Sequence, residues 1–441
     1  MLGDGLGKDL YRMVGELYPI CRSITGNGVR ETLSKIQEKI PLTVHEVSSG
    51  TPVFDWKVPK EWNIQDAYIK NRHGTRIVDF KKSNLHVVGY SVPVRKTLSL
   101  NELKPHLFTL PDHPDWIPYR TSYYKEDWGF CLTHNEWLNL QEEEYEVCID
   151  SSLEEGKLTY GELFLRGHST DEVLLSCHIC HPSLCNDNLS GIAVVTFLAE
   201  YLAEKTRRYS YRIVFLPGTI GPITWLSLNE ERVTRIRHGL VVALVGDPGP
   251  STYKKSRRGN AEIDRVAAHV LQQSGQAFQV REFSPYGYDE RQYCSPGFNL
   301  PVGCLMRTPN GCFPEYHTSA DNLDLVQPQY LEDSFAKLLS IVDTLEGNKT
   351  YANLNPKCEP QLGKRGLYRT LSGQAERGQK EMALFWILNM SDGTSSLLDI
   401  AERANIPFTL IRQAADLLEA NGLLKECASK DCKINSMVEK N

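Results

Sequence analysis

The sequence predicts an α/β protein whose main domain is a mostly parallel sheet with helices on both faces. Residues 173–175, 211–216 and 240–245 form short β-like runs, and the first run carries no charge, as expected of a buried parallel strand. A helical pattern follows that run at 192–205. Strands and helices that alternate in this way are typical of a parallel sheet covered on both sides.

The remaining elements of the main domain are predicted from the same patterns. They are helices at 8–19 and about 28–39, strands at 145–149 and 160–165, a helical segment near 222–230, a helix near 260–273, strands at 278–280 and 301–305, and a helix at 328–346. With 441 residues the chain exceeds one typical domain, so two or three domains are expected. The main domain is assigned to residues 1–48 and 141–350.

A small β-rich domain is predicted as an insertion at 49–140. Pro and Gly separate many short β-like pieces in this region, and five of the chain's seven Trp residues fall within it. Its aromatic segment 116–124 has two interpretations. The rings either roof the functional site of the main domain or mostly fill the core of the inserted domain, and the sequence favours the second interpretation.

Polar residues at 350–379 predict a linker, and residues 365–441 predict a winged helix-turn-helix domain built from three short helices and a final strand. The helix that would read DNA, at 407–420, has one Arg against Asp416 and Glu419. A groove-reading helix needs basic and amide side chains that face phosphates and bases. We therefore expect this domain to pack against other elements or bind a partner rather than bind DNA.

Composition and charge exclude several classes of protein. The formal charge of −6 gives no general electrostatic reason to bind nucleic acid. No run of 18 apolar residues occurs, so no transmembrane helix is expected. The first residues lack a basic start followed by an apolar core, and the 12 Cys residues show no framework spacing. We therefore expect a cytoplasmic protein with reduced thiols.

Polar residues cluster where the first strand ends. His178, His181 and Asp187 all follow the run at 173–175 and precede a helix. The carboxyl ends of strands are where open α/β sheets place their chemistry, and imidazole and carboxylate are ligands of Zn²⁺ in hydrolytic sites. The overlapping C-x-x-C-H pattern at 177–181 is also found at haem attachment sites, but a buried strand followed by Asp-Asn is the wrong context.

Further candidate residues follow later strands. His317, after the strand at 301–305, is the natural third protein ligand, because catalytic zinc sites carry three and leave one position open. A further histidine at the end of a second strand favours a metal site over a loop of solvated histidines. Other polar residues at strand ends are Asp247, then Asp289, Glu290, Arg291 and Tyr293, and finally Glu315 and Tyr316. Tyr293 and Tyr316 are predicted to contact substrate, and the candidate catalytic residues are Asp289, Glu290, Arg291 and Glu315.

These motifs resemble a bacterial family of zinc aminopeptidase-like proteins that carry an inserted domain of unknown function and a C-terminal winged helix. The core is similar to that of the co-catalytic zinc aminopeptidases and glutaminyl cyclases. The matching stretches are 22–26 (RSITG), 178–182 (HICHP), 186–191 (NDNLSG), 289–294 (DERQYC) and 314–318 (PEYHT). The resemblance implies bound zinc and a phosphorylase-like α/β/α fold.

The resemblance also assigns metal ligands residue by residue. These ligands are His178, Asp187, His317 and, as a further one, Asp247. Two departures from the aminopeptidase pattern stand out. Cys180 occupies the place of an acidic residue, and residues 217–221 contain no carboxylate where the aminopeptidases have a Glu pair that serves as base and ligand. One zinc ion is therefore expected, and a second one lacks its usual ligands.

Without the Glu pair, proton transfer needs another carboxylate, and Glu315 and Glu290 are the predicted replacements. His181 is either an extra metal ligand or the base itself. Arg22 or Arg291 is expected to hold a substrate carboxylate, because a guanidinium group binds a carboxylate through two parallel hydrogen bonds.

The function predicted from the sequence is a zinc-dependent hydrolase of aminopeptidase type that cleaves an amide bond in a peptide or amino-acid conjugate. The missing Glu pair favours an alternative, a non-catalytic zinc-binding scaffold or regulator that acts through the winged helix. A cyclase or acyl-transfer enzyme is a third interpretation. The sequence leaves a homo-oligomer open, and neither a membrane nor nucleic acid is an expected partner.

Overall fold

The computed structural model describes residues 5–367 and 374–427, with the side chains of 374–377 left aside. The helices are α1 Leu6–Leu17, α2 Asn27–Gln37, α3 Leu100–Leu103, α4 His134–Leu138, α5 Gly191–Ala203, α6 Ile220–Leu228, α7 Glu262–Gln273, α8 Glu290–Tyr293, α9 Pro328–Gly347, α10 Gln374–Met390, α11 Leu397–Ala404 and α12 Phe408–Ala420. The strands are β1 Thr43–Ser48, β2 Pro52–Val53, β3 Trp56–Lys57, β4 Glu61–Lys70, β5 Arg76–Asp79, β6 Val94–Ser99, β7 Leu107–Phe108, β8 Phe130–Cys131, β9 Glu144–Glu154, β10 Lys157–Leu165, β11 Glu172–His178, β12 Ser210–Leu216, β13 Ile236–Val242, β14 Ser251–Lys254, β15 Phe278–Arg281, β16 Val302–Met306, β17 Thr350–Asn353, β18 Asp392–Ser396 and β19 Leu424–Glu426.

The larger of two compact units contains an eight-stranded sheet with the order β1-β10-β12-β11-β13-β16-β14-β15. The four central strands β12, β11, β13 and β16 run parallel. Antiparallel pairs occur only toward the edges of this sheet, between β12, β10 and β1 on one side and between β16 and β14 on the other. All residues of β11 and β12 are buried, as expected for strands covered on both faces. The prediction of a mostly parallel α/β fold is confirmed.

The connection between β11 and α5 is locked to the neighbouring strand β13. Asn188 accepts hydrogen bonds from the backbone N–H groups of Gly191 and Leu244, both at 3.2 Å, and donates one to the carbonyl of Val242 at 3.2 Å. At position 191, a Cβ atom would lie 2.6 Å from that carbonyl oxygen. Glycine is therefore required for this close approach of helix and sheet.

The inserted region forms its own sheet with the order β5-β4-β9-β6. Its core contains Ala67, Ile69, Phe130, Val147 and Ile149, all buried. The sequence pattern predicts that the strand near 145–149 belongs to the main domain. The structure differs, because β9 pairs along its length with β4 and β6 of the inserted sheet. Runs of alternating burial do not reveal which sheet a strand joins, and this pairing is set by tertiary contacts.

The smaller unit comprises residues 265–276 and the described residues from 337 onward. Helices α10, α11 and α12 combine there with a sheet of order β18-β17-β19, which is a winged-helix arrangement. Ser396 caps α11 by accepting a hydrogen bond from the N–H of Asp399. The sequence predicts a linker at 350–379, but the first residues of this range form β17, which pairs with β18 and β19.

Across the described residues, no helix combines the length and apolar character needed to cross a membrane.

Candidate metal centre

Three side chains from two strand-end loops surround one buried carboxylate. The Oδ1 atom of Asp187 lies 2.7 Å from His178 Nε2 and 3.7 Å from His181 Nδ1, and its Oδ2 atom lies 3.0 Å from His317 Nε2. Asp187 is fully buried, whereas 34% of the His317 side chain is exposed. The structure therefore brings together four of the predicted ligands, with His178 and His181 on one oxygen and His317 on the other.

The backbone that carries Asp187 is held by a second carboxylate, Asp321. Asp321 accepts hydrogen bonds from the N–H groups of Asn186 at 2.5 Å and Asp187 at 2.9 Å. Burial raises the pKa of Asp321 to about 8. No site role was predicted for Asp321, which lies four residues after His317. Its role is to position Asp187.

The charge state of the cluster suits a divalent cation. Burial lowers the pKa of His181 to about 3, so its imidazole is neutral at pH 7. Burial alone would raise the pKa of Asp187, but the surrounding imidazoles lower it well below its usual range, so the carboxylate is charged. Neutral imidazole and ionised carboxylate are the forms that bind metals.

The donor set fits zinc. One ligand atom from each of His178, His181 and Asp187 lies within 4.8 Å of the others. The Nδ1 atoms of both histidines are buried and have no hydrogen-bond partner within the part of the chain that the structure describes. Two imidazoles and a carboxylate are typical protein ligands of a catalytic zinc ion. His317 adds a third imidazole on the other oxygen of Asp187.

Asp247 lies at the end of β13, but its carboxylate is engaged by other groups. Asp247 accepts hydrogen bonds from the side-chain amide of Asn186 at 3.0 Å, from the N–H of Gly249 at 2.8 Å and from the hydroxyl of Thr308 at 2.5 Å. The structure does not bring Asp247 into the histidine cluster. Its contact with Asn186 instead supports the residue that precedes Asp187.

Asp289 and Glu290 are adjacent in the chain and both are buried, but their environments differ. Glu290 forms an ion pair with Lys254. The Oδ2 atom of Asp289 and both carboxylate oxygens of Glu290 lack a hydrogen-bond partner among the described residues, so the difference lies in the cation beside Glu290. Burial raises the pKa of Asp289 to about 7. A Cβ atom at Gly218 would lie 3.1 Å from Asp289 Oδ1 and 3.4 Å from His178 Cβ. Asp289 therefore lies beside His178, at the loop where the sequence lacks the expected Glu pair.

Arg22 and Tyr293, both predicted to contact substrate, form hydrogen bonds inside the protein. Arg22 is 1% exposed, and its Nε atom donates to the carbonyl of His181 at 2.9 Å while Nη1 donates to the carbonyl of Leu17 at 2.7 Å. Tyr293 is fully buried and shares a hydrogen bond of 2.9 Å with Ser176. Arg22 thus supports the loop of His181 rather than facing a substrate carboxylate, and Tyr293 belongs to the buried core rather than to a surface that substrate contacts.

The remaining predicted residues flank the cluster. Tyr316 stacks on His317 with 3.9 Å between ring centroids, and burial raises the pKa of its hydroxyl. Glu315 is half-buried, and its backbone carbonyl accepts hydrogen bonds from Thr318. Arg291 is half-buried, and its charge lowers the pKa of the neighbouring Asp289 against the larger effect of burial.

Aromatic rings that the sequence analysis did not assign also line the cluster. Tyr288 stacks on His178 with 4.8 Å between centroids. Tyr119 from the inserted region contacts His181 edge-on at 5.2 Å. Trp116, in the same aromatic segment, stacks on His113 of the inserted region itself. Each of the two interpretations of segment 116–124 therefore applies to part of it.

The fold and this cluster define an aminopeptidase-like α/β protein. The zinc aminopeptidase of Bacillus subtilis superposes with a TM-score of 0.56 and 11% identity, over 77% of this chain and 94% of its own. A peptidase M28 precursor from Shewanella amazonensis gives a TM-score of 0.55 and 14% identity, over 77% and 92%. At such identities the similarity concerns the fold, and it confirms the predicted fold class.

The chain belongs to the family described as domain of unknown function DUF4910, whose sequence profile matches residues 11–348. A winged helix-turn-helix profile, HTH_47, matches 349–426. A Clostridium acetobutylicum protein whose name combines polysaccharide biosynthesis with an aminopeptidase-like domain is 55% identical over 419 residues, 95% of this chain and 96% of that protein. A crystal structure from the same organism, whose name includes the word peptidase, has 54% identity and a TM-score of 0.92 over 96% of both chains. The predicted family resemblance is confirmed.

Proposed function

We propose that this protein is a zinc-dependent hydrolase of aminopeptidase type that cleaves an amide bond in a peptide or amino-acid conjugate. The observation that carries the proposal is the buried carboxylate of Asp187, with imidazoles on both of its oxygens at the carboxyl ends of parallel strands. This is the edge at which open α/β sheets bind ligands. The fold shared with a zinc aminopeptidase supports the same conclusion.

In this proposal His178, His181 and Asp187 hold one zinc ion, and His317 completes the centre on the second oxygen of Asp187. A zinc ion held there would polarise the substrate carbonyl and lower the pKa of a water molecule to about 7. The residues of the chain orient the substrate and move the protons. A second zinc ion is not part of the proposal, because the oxygens of Asp247 accept hydrogen bonds from Asn186 and Thr308.

Asp289 is the proposed proton carrier. Its pKa of about 7 allows it to accept and release a proton near neutral pH. Its position beside Gly218 and His178 places a carboxylate at the loop that lacks the Glu pair. Glu290 is less suited to this role, because its negative charge is paired with Lys254 inside the protein. Glu315 remains a predicted alternative.

The name of the Clostridium relative widens the class of substrates worth testing. A saccharide that carries an amide-linked amino acid or acyl group contains the same reacting bond as a peptide. We include such conjugates in the proposed substrate class beside peptides. A cytoplasmic location and a homo-oligomer stay predictions.

The proposal is tested with purified full-length protein, metal analysis and a substrate panel. The panel contains aminoacyl anilides, dipeptides and N-acylated amino sugars. We expect about one zinc per chain, turnover of at least one class, loss of turnover with a chelator and its return with added zinc. The variant His178→Ala should lose both metal and activity. A protein that is free of metal and indifferent to chelators in every assay would contradict the proposal.

A second candidate is a zinc-binding scaffold that does not catalyse hydrolysis. The observation that favours it is the absence of a carboxylate at 217–221. It predicts stoichiometric zinc that depends on His178, together with no turnover in the whole panel. Turnover that is lost in both His178→Ala and Asp289→Asn would rule it out.

A further inference from the structure

The inserted region touches the candidate metal centre through one short segment, residues 117–119. The N–H of Tyr119 donates to the carbonyl of His317 at 2.8 Å, and the N–H of Ser319 donates to the carbonyl of Ile117 at 2.8 Å. The N–H of Ile117 also donates to the hydroxyl of Ser319 at 2.9 Å. Together with the antiparallel bridge between Pro118 and Thr318, these bonds attach the segment directly to the loop that carries His317.

The backbone of His317 needs such a restraint. His317 has a φ of +57°, which lies in the left-handed region that residues with a Cβ rarely adopt. A residue in this conformation persists only when the surrounding structure holds it. The bonds from Ile117 and Tyr119 hold the chain at residues 317 and 319, on both sides of the strained position.

The ring of Tyr119 also lies against two of the candidate ligands. Its centroid is 5.2 Å from that of His181 and 5.1 Å from that of His317, and both contacts are nearly perpendicular at 80° and 86°. Its hydroxyl shares a hydrogen bond of 2.9 Å with the hydroxyl of Tyr123, which belongs to the same inserted segment. The ring therefore packs against both imidazoles at nearly right angles, while its hydroxyl forms a hydrogen bond within the inserted segment.

We propose that segment 117–119 is a positioning element of the metal centre, so that the inserted region controls how tightly the core binds its metal. This inference rests on the proposed zinc site. The backbone bonds hold His317 in its left-handed conformation, and the Tyr119 ring keeps the imidazoles of His181 and His317 oriented for one ion. Residues that orient metal ligands typically change metal affinity by about 10- to 100-fold when they are removed. Tyr119 acts through the histidines and is a positioning residue.

The test compares zinc affinity in four full-length proteins by competition with a chromophoric chelator. Tyr119→Ala removes the ring, and Tyr119→Phe removes only the hydroxyl. Trp116→Ala is the matched control, because Trp116 stacks on His113, which belongs to the inserted region. We expect Tyr119→Ala to bind zinc about 10- to 100-fold more weakly than the wild type. Tyr119→Phe and Trp116→Ala should stay within about twofold, and the visible spectrum of the cobalt(II) form should change only in Tyr119→Ala.

Each outcome of this test has a distinct meaning. Equal affinity of Tyr119→Ala and the wild type would overturn the inference and leave the zinc site intact. Equal weakening by Trp116→Ala would also overturn it, because the effect would then reflect general damage to the inserted region. If the wild type binds no zinc, the proposed function itself fails. Should Tyr119→Ala fail to fold, Ser319→Ala decides: the loss of its bond to Ile117 should weaken zinc binding by about threefold, and unchanged affinity would overturn the inference.

Discussion

Asp187 and Asp247 follow neighbouring parallel strands, β11 and β13, and both side chains are buried, yet they have different partners. Asp187 has imidazoles on both oxygens. Asp247 has only neutral donors, which are an amide, a hydroxyl and backbone N–H groups. Imidazole is a zinc ligand and can exchange a hydrogen bond for a metal bond, whereas the amide, hydroxyl and backbone N–H groups around Asp247 are not among the protein ligands typical of zinc. The position of a carboxylate at a strand end therefore does not make it a ligand; its neighbours do.

The largest expected effect comes from exchanging each carboxylate for its amide. Asp187→Asn should weaken zinc binding by more than about 100-fold, because the charge shared by three imidazoles is lost. Asp247→Asn should weaken it by less than about tenfold, since of the hydrogen bonds that it alters only the one from Asn186 involves a neighbour of a candidate ligand. Equilibrium dialysis with metal analysis measures both. Equal losses in the two variants would mean that Asp247 binds the metal, as the sequence predicted.

A second comparison concerns two adjacent carboxylates, Asp289 at the N-cap of α8 and Glu290 at its first position. Asp289→Asn should keep zinc and lower kcat by about 10²- to 10⁴-fold, because general acid–base groups contribute rate factors of that size. Glu290→Gln leaves the charge of Lys254 unpaired inside the protein and should lower the free energy of unfolding by about 3–5 kcal/mol. Its kcat per folded molecule should change much less than that of Asp289→Asn.

Steady-state kinetics at saturating zinc and denaturant unfolding are the two measurements. If Glu290→Gln loses as much kcat as Asp289→Asn at equal stability, the assignment of roles to the two residues is reversed. If Asp289→Asn loses zinc together with activity, Asp289 is a metal ligand rather than a proton carrier.

The fold and the four-residue cluster were predictable because they depend on local patterns. The charge-free run at 173–175 marks a strand buried on both faces, and the rule that chemistry lies at carboxyl ends of strands joins His178 to His317 across the chain. The winged helix was equally visible in its short helices. These inferences need only the sequence near each element.

The parts that were not predictable depend on contacts between distant residues. Nothing near Glu290 indicates that Lys254 pairs with it, and nothing near Asp247 indicates that Thr308 donates to it. The same holds for Tyr119, whose contact with His317 spans nearly two hundred residues of the chain. Which carboxylate is free to act is thus decided by tertiary structure, while the presence of carboxylates near the site is visible in the sequence.

The smallest expected effect concerns a carboxylate with a permanent cation as its partner, Glu61 of β4. Arg30 of α2 donates to both of its oxygens, at 2.7 and 2.8 Å, and this lowers the pKa of Glu61 to about 2. A pKa depressed in the folded state gives stability that is present above about pH 4.5 and lost as the pH falls toward 2. The pair should therefore stabilise the protein at pH 7 without binding metal or moving protons.

Glu61→Gln should accordingly lower Tm by about 2 °C at pH 7, since a partly exposed pair contributes up to about 1 kcal/mol. The difference from the wild type should shrink below about pH 4.5, because the unfolded wild-type chain then binds a proton at Glu61 that the folded state does not take up until the pH nears 2. Thermal unfolding followed by circular dichroism between pH 7 and 3 measures this, with the exposed Glu126→Gln as a control that should leave Tm unchanged. A difference that stays constant with pH would show that packing, not charge, joins Glu61 to Arg30. Zinc affinity should be equal in all three proteins, since this carboxylate lacks the imidazole neighbours that distinguish Asp187.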